Sequence, residues 1–417
     1  MMRRNLWKYL LLLLLIVVVN DLAAVLLGPR PRNLVSDADR EALLSALPPD
    51  VRQGNSAKMF YDFGTMVKDL IQAVDSARRS IDISFYHFED DSIGNCVADH
   101  LIDRVRDGVE VRFLYDGTQL RRLGLYDRMS DAGIEVRKFN PMYVPWLMRN
   151  DFSRNHQKIV VIDGHTGYTG GMNIADRYSV GLGGRPWVDV FMRLDGPASL
   201  QMREIFAEAW SYAGGEGMDM EPSAGSFIPG PEMVPLDDVE ILSSGAFGAG
   251  PRIMERYCEM LDKSCRFAYF ESPYFIPAGP LLDAMKRAAE RGVDVRVIYP
   301  ARCDLSCVYD LCSASFVAEA LESGVRIGQY ATGFLHSKMF VTDDIACVGS
   351  ANLDSWSLCR NLEIMVFVHD ASFADELLGH FRQDESLVTY LDETEWARRP
   401  FRQRVGERTW RILRHVL

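Results

Sequence analysis

The sequence predicts an α/β protein of two similar α/β/α domains with mixed, mostly parallel sheets, related by a pseudo-twofold axis and preceded by an N-terminal membrane helix. Three observations predict it. A His/Lys/Asp set, His156, Lys158 and Asp163, recurs 180 residues later as His336, Lys338 and Asp343. Strand-like segments upstream of each set repeat in the same order. An apolar run lies near the N-terminus, behind Arg3, Arg4 and Lys8.

At 417 residues the chain has room for two domains, each with its own core. Its composition, 48% hydrophobic and 25% charged, is that of a folded protein. The net charge of −12 argues against DNA or RNA as the main partner, because a sequence-independent nucleic-acid binder displaces counterions with a basic surface. The eight cysteines form no C-x-x-C pair and no His stands at zinc spacing, so they read as mostly buried small hydrophobes, and no metal or other cofactor is expected.

In chain order, residues 1–28 read as a membrane anchor. Tyr9 to Leu27 is 19 residues, near the ~20 that cross a bilayer as a helix. A cleaved signal peptide is the rival, but no small-x-small cleavage site follows. Residues 29–57 are a polar linker, 58–215 the first domain, 216–235 an inter-domain linker rich in Gly, Pro, Met and Ser, and 236–394 the second domain. Residues 395–417 form a basic amphipathic tail; from Trp396 onward it has seven Arg and one Glu.

Within the domains, Ser80–Tyr86 matches Ser264–Phe270, and Gly108–Arg112 matches Gly292–Arg296, both at an offset of 184. Gly133–Val136 matches Gly324–Ile327. Helical patterns at Val97–Arg106 and Leu281–Glu290 separate the first two strands of each set, which is the order of a βαβ layer. Each His/Lys pair runs into an apolar strand, Ile159–Ile162 or Met339–Thr342, and then into a small-residue turn ending in Asn: Gly170-Gly171-Met172-Asn173 and Gly349-Ser350-Ala351-Asn352.

His156 and Lys158 are two apart, as are His336 and Lys338, so on a strand each pair shares a face. One such pair is a weak signal; two in matching contexts suggest a single phosphoryl-transfer site made of two half-sites. Phosphodiester exchange needs a nucleophile for phosphorus, an acid for the leaving alkoxide, and positive charge or donors on the non-bridging oxygens. Two histidines can divide the first two roles. Two lysines and two asparagines, Asn173 and Asn352, can supply the third, and no metal is required.

With its paired H-x-K-x4-D the chain resembles the phospholipase D superfamily and, more narrowly, bacterial cardiolipin synthases. The narrower likeness rests on Asn155–Lys158 with Tyr168–Asn173, Pro186–Asp189 with Arg193–Pro197, Ser272–Pro277, Gly333–His336 and Asn361–Glu363. The resemblance implies a two-step exchange. His156 attacks phosphorus to give a phosphatidyl-histidine; His336 protonates the departing glycerol and then deprotonates the acceptor. Lys158, Lys338, Asn173 and Asn352 would hold the phosphate oxygens. An acidic residue beyond each motif orients the other copy's histidine, and Asp189 and Glu363 stand at suitable places. Asp163 and Asp343 complete the motif, more as braces of the local turn than as groups that touch substrate.

The expected reaction joins two phosphatidylglycerol molecules into cardiolipin with release of glycerol. A hydrolytic phospholipase D and a membrane-anchored nuclease share the same reactive set, and a lipid-binding scaffold is the non-enzymatic alternative. The expected partners are an anionic phospholipid and the membrane, with the oligomeric state left open. The expected location is the cell membrane, through a single N-terminal pass. The aromatic stretch Pro141–Met148 and the basic tail are further candidate lipid contacts.

Overall fold

The computed structural model describes residues 51–119, 123–141, 153–181, 184–218, 232–245, 250–303 and 307–400. The N-terminal anchor, the linker up to residue 50, most of the aromatic stretch and the tail beyond residue 400 lie outside the described residues. Among those described, no helix is long and apolar enough to cross a membrane.

The first half holds β1 (Asn55–Phe60), α1 (Phe63–Ser76), β2 (Ser80–Phe85), α2 (Ser92–Arg106), β3 (Glu110–Asp116), α3 (Leu123–Asp131), β4 (Glu135–Phe139), β5 (Ile159–Ile162), β6 (Thr166–Gly170), α4 (Asp176–Val180), β7 (Trp187–Val188), β8 (Phe191–Asp195), α5 (Ala198–Tyr212) and β9 (Val234–Leu236). The second half holds β10 (Val239–Ser244), α6 (Arg252–Lys263), β11 (Phe267–Glu271), β12 (Phe275–Ile276), α7 (Gly279–Glu290), β13 (Asp294–Pro300), α8 (Cys307–Glu322), β14 (Arg326–Tyr330), β15 (Phe334–Leu335), β16 (Met339–Thr342), β17 (Ala346–Gly349), β18 (Leu353–Asp354), α9 (Ser355–Cys359), β19 (Glu363–Val368), α10 (Ala371–Glu385), β20 (Val388–Tyr390) and α11 (Glu393–Ala397).

Each half carries one eight-stranded sheet, in the orders β4-β3-β2-β5-β6-β8-β1-β9 and β10-β19-β17-β16-β11-β13-β14-β20. Reversed, the second order reproduces the first strand for strand, from β14-β13-β11-β16-β17 through β19 and β10. The edge strands β9 and β20 break the correspondence. β9 still pairs with β1, so the chain passes to the second sheet only between Leu236 and Val239.

The sheets are mixed, but the expectation that they are mostly parallel is corrected. Only β2–β3–β4 and β11–β13–β14 run parallel; the remaining pairings in both sheets are antiparallel. Helix crossovers enforce parallel pairing only where α2, α3, α7 and α8 intervene. From the histidine strand onward the chain turns by short hairpins such as β5–β6 and β16–β17.

The match of the first strands is also shifted. Ser84 pairs with Ile159, and Glu271 pairs with Met339, so β2 and β11 correspond at an offset of 187 rather than 184. A slip of three is odd and exchanges the two faces of a strand. The cysteines depart too: Cys312 and Cys347 are buried, but Cys96, Cys265 and Cys359 are exposed. Cys96, Cys258, Cys265, Cys347 and Cys359 form no disulfide.

The two sheets share one core. Ile159, Val161 and Leu194 of the first meet Val341, Ile364 and Val366 of the second, with α5 (Met202, Phe206, Trp210) and α10 (Phe373, Leu377, Phe381) in the same cluster. Complete burial of each such side chain contributes about 1.5–3 kcal/mol, so this shared layer fixes one half against the other. Val160 and Phe340, the alternate residues of the same strands, face the outer cores. The strands that follow each His/Lys pair are therefore buried on both sides.

Candidate active site at the junction of the halves

Two equivalent cross-half bridges position the histidines. In one, Leu362 N donates to Arg154 O at 2.9 Å and His156 N donates to Leu362 O at 3.0 Å. In the other, β15 pairs in parallel with β7, Phe334 N donates to Pro186 O at 2.8 Å, and His336 N donates to Val188 O at 2.7 Å. Each time, the backbone just before a histidine is tied to the backbone just before an acidic residue of the other half.

The side chains repeat the exchange. His156 Nδ1 lies 2.9 and 3.0 Å from the two carboxylate oxygens of Glu363. His336 Nδ1 lies 2.6 Å from Asp189 Oδ2. A carboxylate at Nδ1 draws the ring proton there and so puts the lone pair of the neutral ring on Nε2. Both acids are buried. The ring of Tyr86 packs edge-on to His156 at 4.9 Å, and that of Trp187 packs on His336 at 4.8 Å. The indole N–H of Trp187 also reaches Asp189, at 3.4 Å.

Lys158 and Lys338 are buried with them. Lys158 Nζ donates to the carbonyl of its own motif's His156 at 2.7 Å. Lys338 Nζ donates to the carbonyl of His336 and lies 2.7 Å from that ring's Nδ1. An ammonium has three donors, so Lys158 keeps capacity for an anion beyond its contact with the His156 carbonyl. Asn173 Oδ1 accepts from His87 N at 3.0 Å, and its amide nitrogen donates to Tyr178 Oη at 3.1 Å. Asn352 is buried, with an Oδ1 that has no hydrogen-bond partner.

Burial sets the electrostatics. It is the largest influence lowering His156 well below the usual imidazole range, reinforced by the charges of Lys158 and Lys338. A hydrogen bond with the Ser350 backbone acts the other way. Burial pushes Glu363 up to about 7, against the pull of Lys158 and a hydrogen bond from the Ser350 side chain. Burial also brings Lys158 down to about 7, with Glu363 resisting. His156 is thus held as a neutral imidazole, the form with a nucleophilic lone pair.

The two aspartates of the motifs are not brought to the histidines. Each follows its strand, at the far end from the His/Lys pair. Asp163 accepts from the backbone N–H groups of Arg78, Arg79 and Ser80 at 2.9, 2.7 and 3.0 Å. Asp343 accepts from the N–H of Cys265 and Arg266 at 2.6 and 3.0 Å. Burial opposes the ionisation of Asp343, but these donors outweigh it and hold the carboxyl below its usual range. Both aspartates pin the entry of the neighbouring strand, β2 or β11.

Two contributors went unread as such in the sequence. The Ser350 hydroxyl donates to Glu363 Oε2. Its counterpart in the first half is Gly171, where an added Cβ would come within 1.9 Å of Asp189 Oδ1. The backbone N–H groups of both donate to the strand beyond the acid at 2.9 Å, Gly171 to Val190 and Ser350 to Ile364. The positions were legible as turn residues. Their closeness to the acids follows from the fold.

The family model described as "Cardiolipin synthase, PLD-like domain" matches residues 70–210 and 257–385. Cardiolipin synthase 1 of Bacillus anthracis is 33% identical over 358 residues, 84% of this chain and 70% of that protein. Cardiolipin synthase of Geobacillus kaustophilus is 33% identical over 353 residues, 82% and 69% of the two chains. Among solved structures, phosphatidylserine synthase of Haemophilus influenzae superposes with a TM-score of 0.62 at 15% identity, over 89% of this chain and 96% of that one. Polyphosphate kinase of Porphyromonas gingivalis gives 0.52 at 15% identity, over 81% and 52%. These last two likenesses speak to the fold alone, which they share across both halves. The family match in both halves, with relatives a third identical over most of their length, establishes that the chain belongs to the phospholipase D superfamily, within the family of bacterial cardiolipin synthases.

Proposed function

We propose that this chain is a phosphatidyltransferase that makes cardiolipin from two phosphatidylglycerol molecules and releases glycerol. The crossed pairing of His156 with Glu363 and His336 with Asp189 carries the reading, together with the cardiolipin synthases that resemble most of the chain. The pairing aims two oriented imidazoles, one from each half, at a common space.

In the first step the Nε2 lone pair of neutral His156 attacks phosphorus. A P–N bond forms, the P–O bond to the headgroup glycerol breaks, and His336 gives its proton to the departing alkoxide. In the second step the terminal hydroxyl of another phosphatidylglycerol loses its proton to His336 and attacks phosphorus. The P–N bond breaks and His156 is neutral again. Lys158 and Lys338 balance the charge on the non-bridging oxygens, with Asn173 and Asn352 beside them. Glu363 and Asp189 stabilise whichever imidazole becomes cationic. Asp163 and Asp343 act at a distance, through the strands they tether.

We place the enzyme at the cell membrane, where its substrate resides, on a single N-terminal pass between Tyr9 and Leu27. The test uses the purified full-length chain in mixed micelles of phosphatidylglycerol, with products followed by mass spectrometry. Cardiolipin and glycerol are expected, and His156→Ala or His336→Ala should abolish both. Phosphatidic acid as the sole lipid product would replace the transferase with a hydrolase, and no turnover of any phosphatidyl donor would remove the proposal. A phosphodiester with a nitrophenol leaving group separates the histidines, since departure then needs no acid. His336→Ala should accumulate an adduct of intact mass on the protein, and His156→Ala should not.

A further inference from the structure

Behind the second motif, on the side of the strand away from His336 and Lys338, three titratable side chains converge, and no Lys or Arg among the described residues pairs with them. Glu271 ends β11 and is 2% exposed; Asp384, on α10, is 7% exposed. His380 sits one helical turn before Asp384. Both oxygens of Glu271, Oδ2 of Asp384 and Nε2 of His380 are buried without a hydrogen-bond partner. Neither acid has a Lys or Arg ion-pair partner among the described residues. One potential ligand atom from each of the three residues lies within 4.8 Å of the other two.

An unpartnered buried carboxylate is among the most costly arrangements in a protein, and two beside one imidazole call for a counter-charge. We propose that Glu271, His380 and Asp384 bind one divalent metal ion, a structural site distinct from the paired histidines. The donor set, one imidazole nitrogen and carboxylate oxygens with no thiolate, suits zinc or manganese.

The spacing fits. His380 Nε2 and Asp384 Oδ2 are 3.3 Å apart but not aligned for a hydrogen bond. That is the separation of two ligands each ~2.0–2.1 Å from a tetrahedral ion. With those two atoms left where they are, a Glu271 oxygen as far as 4.8 Å from each would lie about 3.3 Å from the ion, so Glu271 needs to close by at most about 1.2 Å. The His380 ring is already held by Tyr61, stacked on it at 4.1 Å.

In the absence of a cation, burial drives every member toward its neutral form. Glu271 is pushed well above the usual carboxylate range, Asp384 rises to about 6, and His380 falls to about 4. A bound cation reverses this for both acids. The Ser337 hydroxyl, between His336 and Lys338 in sequence, lies beside Glu271 and opposes its rise only in part. The ion would tie α10 to β11 directly behind the second motif, giving that strand a support the first motif does not share. The position equivalent to Glu271 is Ser84, which accepts an ordinary hydrogen bond from Asn155.

The test is metal content and melting of the full-length chain, stripped with a chelator and then exposed to zinc or manganese. Wild type should retain about one ion per chain, and its Tm should rise by several degrees on loading. Glu271→Gln, Asp384→Asn and His380→Ala should each lose both the ion and the shift. The His156→Ala/His336→Ala double variant should keep both. A wild-type chain that retains no ion and shows no shift with either metal overturns the proposal, whether or not the variants fold. So does equal uptake by wild type and all three single variants, or loss of the ion from the double histidine variant.

Discussion

Replacing Glu363 with glutamine separates the proposed chemistry from the fold. The substitution keeps the shape and removes the charge from a group whose oxygens lie 2.9 and 3.0 Å from His156 Nδ1. A charge-assisted hydrogen bond is worth about 1.5–3 kcal/mol, so its loss slows the step that puts positive charge on the ring by ~10–150-fold. If the new NH2 faces Nδ1, the ring keeps its proton on Nε2 and the lone pair points the wrong way. In a Ser-His-Asp triad the analogous exchange has cost ~10⁴. The expected fall in kcat for cardiolipin formation therefore lies between ~10- and ~10⁴-fold.

Stability should move in the opposite direction. The folded state raises the Glu363 carboxyl to about 7 from an ordinary 4.5, so it binds the proton more tightly than the unfolded chain does. Stability from this group is complete below the unfolded value and is lost as pH rises through the folded one. Glutamine is neutral at every pH, so the Tm of the variant relative to wild type should climb between pH 4.5 and 8. A product assay with thermal melts across that range tests both halves. A folded variant that keeps more than about a third of wild-type kcat would refute the orienting role. A Tm difference that does not change with pH would refute the burial argument.

Ser350→Ala removes one donor to Glu363 and should lower kcat by ~2–10-fold, a neutral hydrogen bond being worth about 0.5–1.5 kcal/mol; an unchanged kcat in the product assay would remove Ser350 from the site. Gly171→Ala puts a Cβ within 1.9 Å of Asp189 Oδ1, so the acid must leave its 2.6 Å contact with His336. Activity should fall by at least ~10-fold in a chain with a native circular-dichroism spectrum. Asp163→Asn and Asp343→Asn turn an NH2 toward backbone N–H donors and should each cost about 1–3 kcal/mol in denaturant melts. Activity per folded molecule should change far less than in Glu363→Gln, and a catalytic loss as large as that variant's would return these aspartates to the reacting centre.

The motif residues announced themselves because the duplication kept them while their neighbours diverged. The βαβ order was legible from the glycines at 108, 133, 292 and 324, which all have positive φ where a helix turns into its next strand. The predominance of antiparallel pairing was not. An apolar strand such as Ile159–Ile162 reads the same whichever way its neighbour runs, and direction depends on a connection made elsewhere in the chain. The slip of three in β2 and β11 has a similar origin. Both strands are covered on two faces, so apolar alternation gives no register, and only the pairings to Ile159 and Met339 reveal it. The cluster of Glu271, His380 and Asp384 left no local signal. Its first member is more than a hundred residues from the others, and strand and helix meet only in the finished core.

The crossed geometry also bears on why the paired motif works as a unit. Two ammonium groups and two carboxyl groups are buried together, so the site is close to neutral when both histidines are neutral. A phosphodiester brings one negative charge, and a protonated His336 brings the compensating positive one. Proton transfer and phosphoryl transfer then move charge within a cluster whose sum stays near zero, which limits the desolvation penalty at each step. The first half supplies His156 and the acid for His336; the second supplies His336 and the acid for His156. Neither half has an oriented histidine of its own. The arrangement is complete only when the shared core sets the halves against each other, which gives the buried layer of Ile159, Val161, Val341 and Ile364 as direct a part in the proposed chemistry as in the fold.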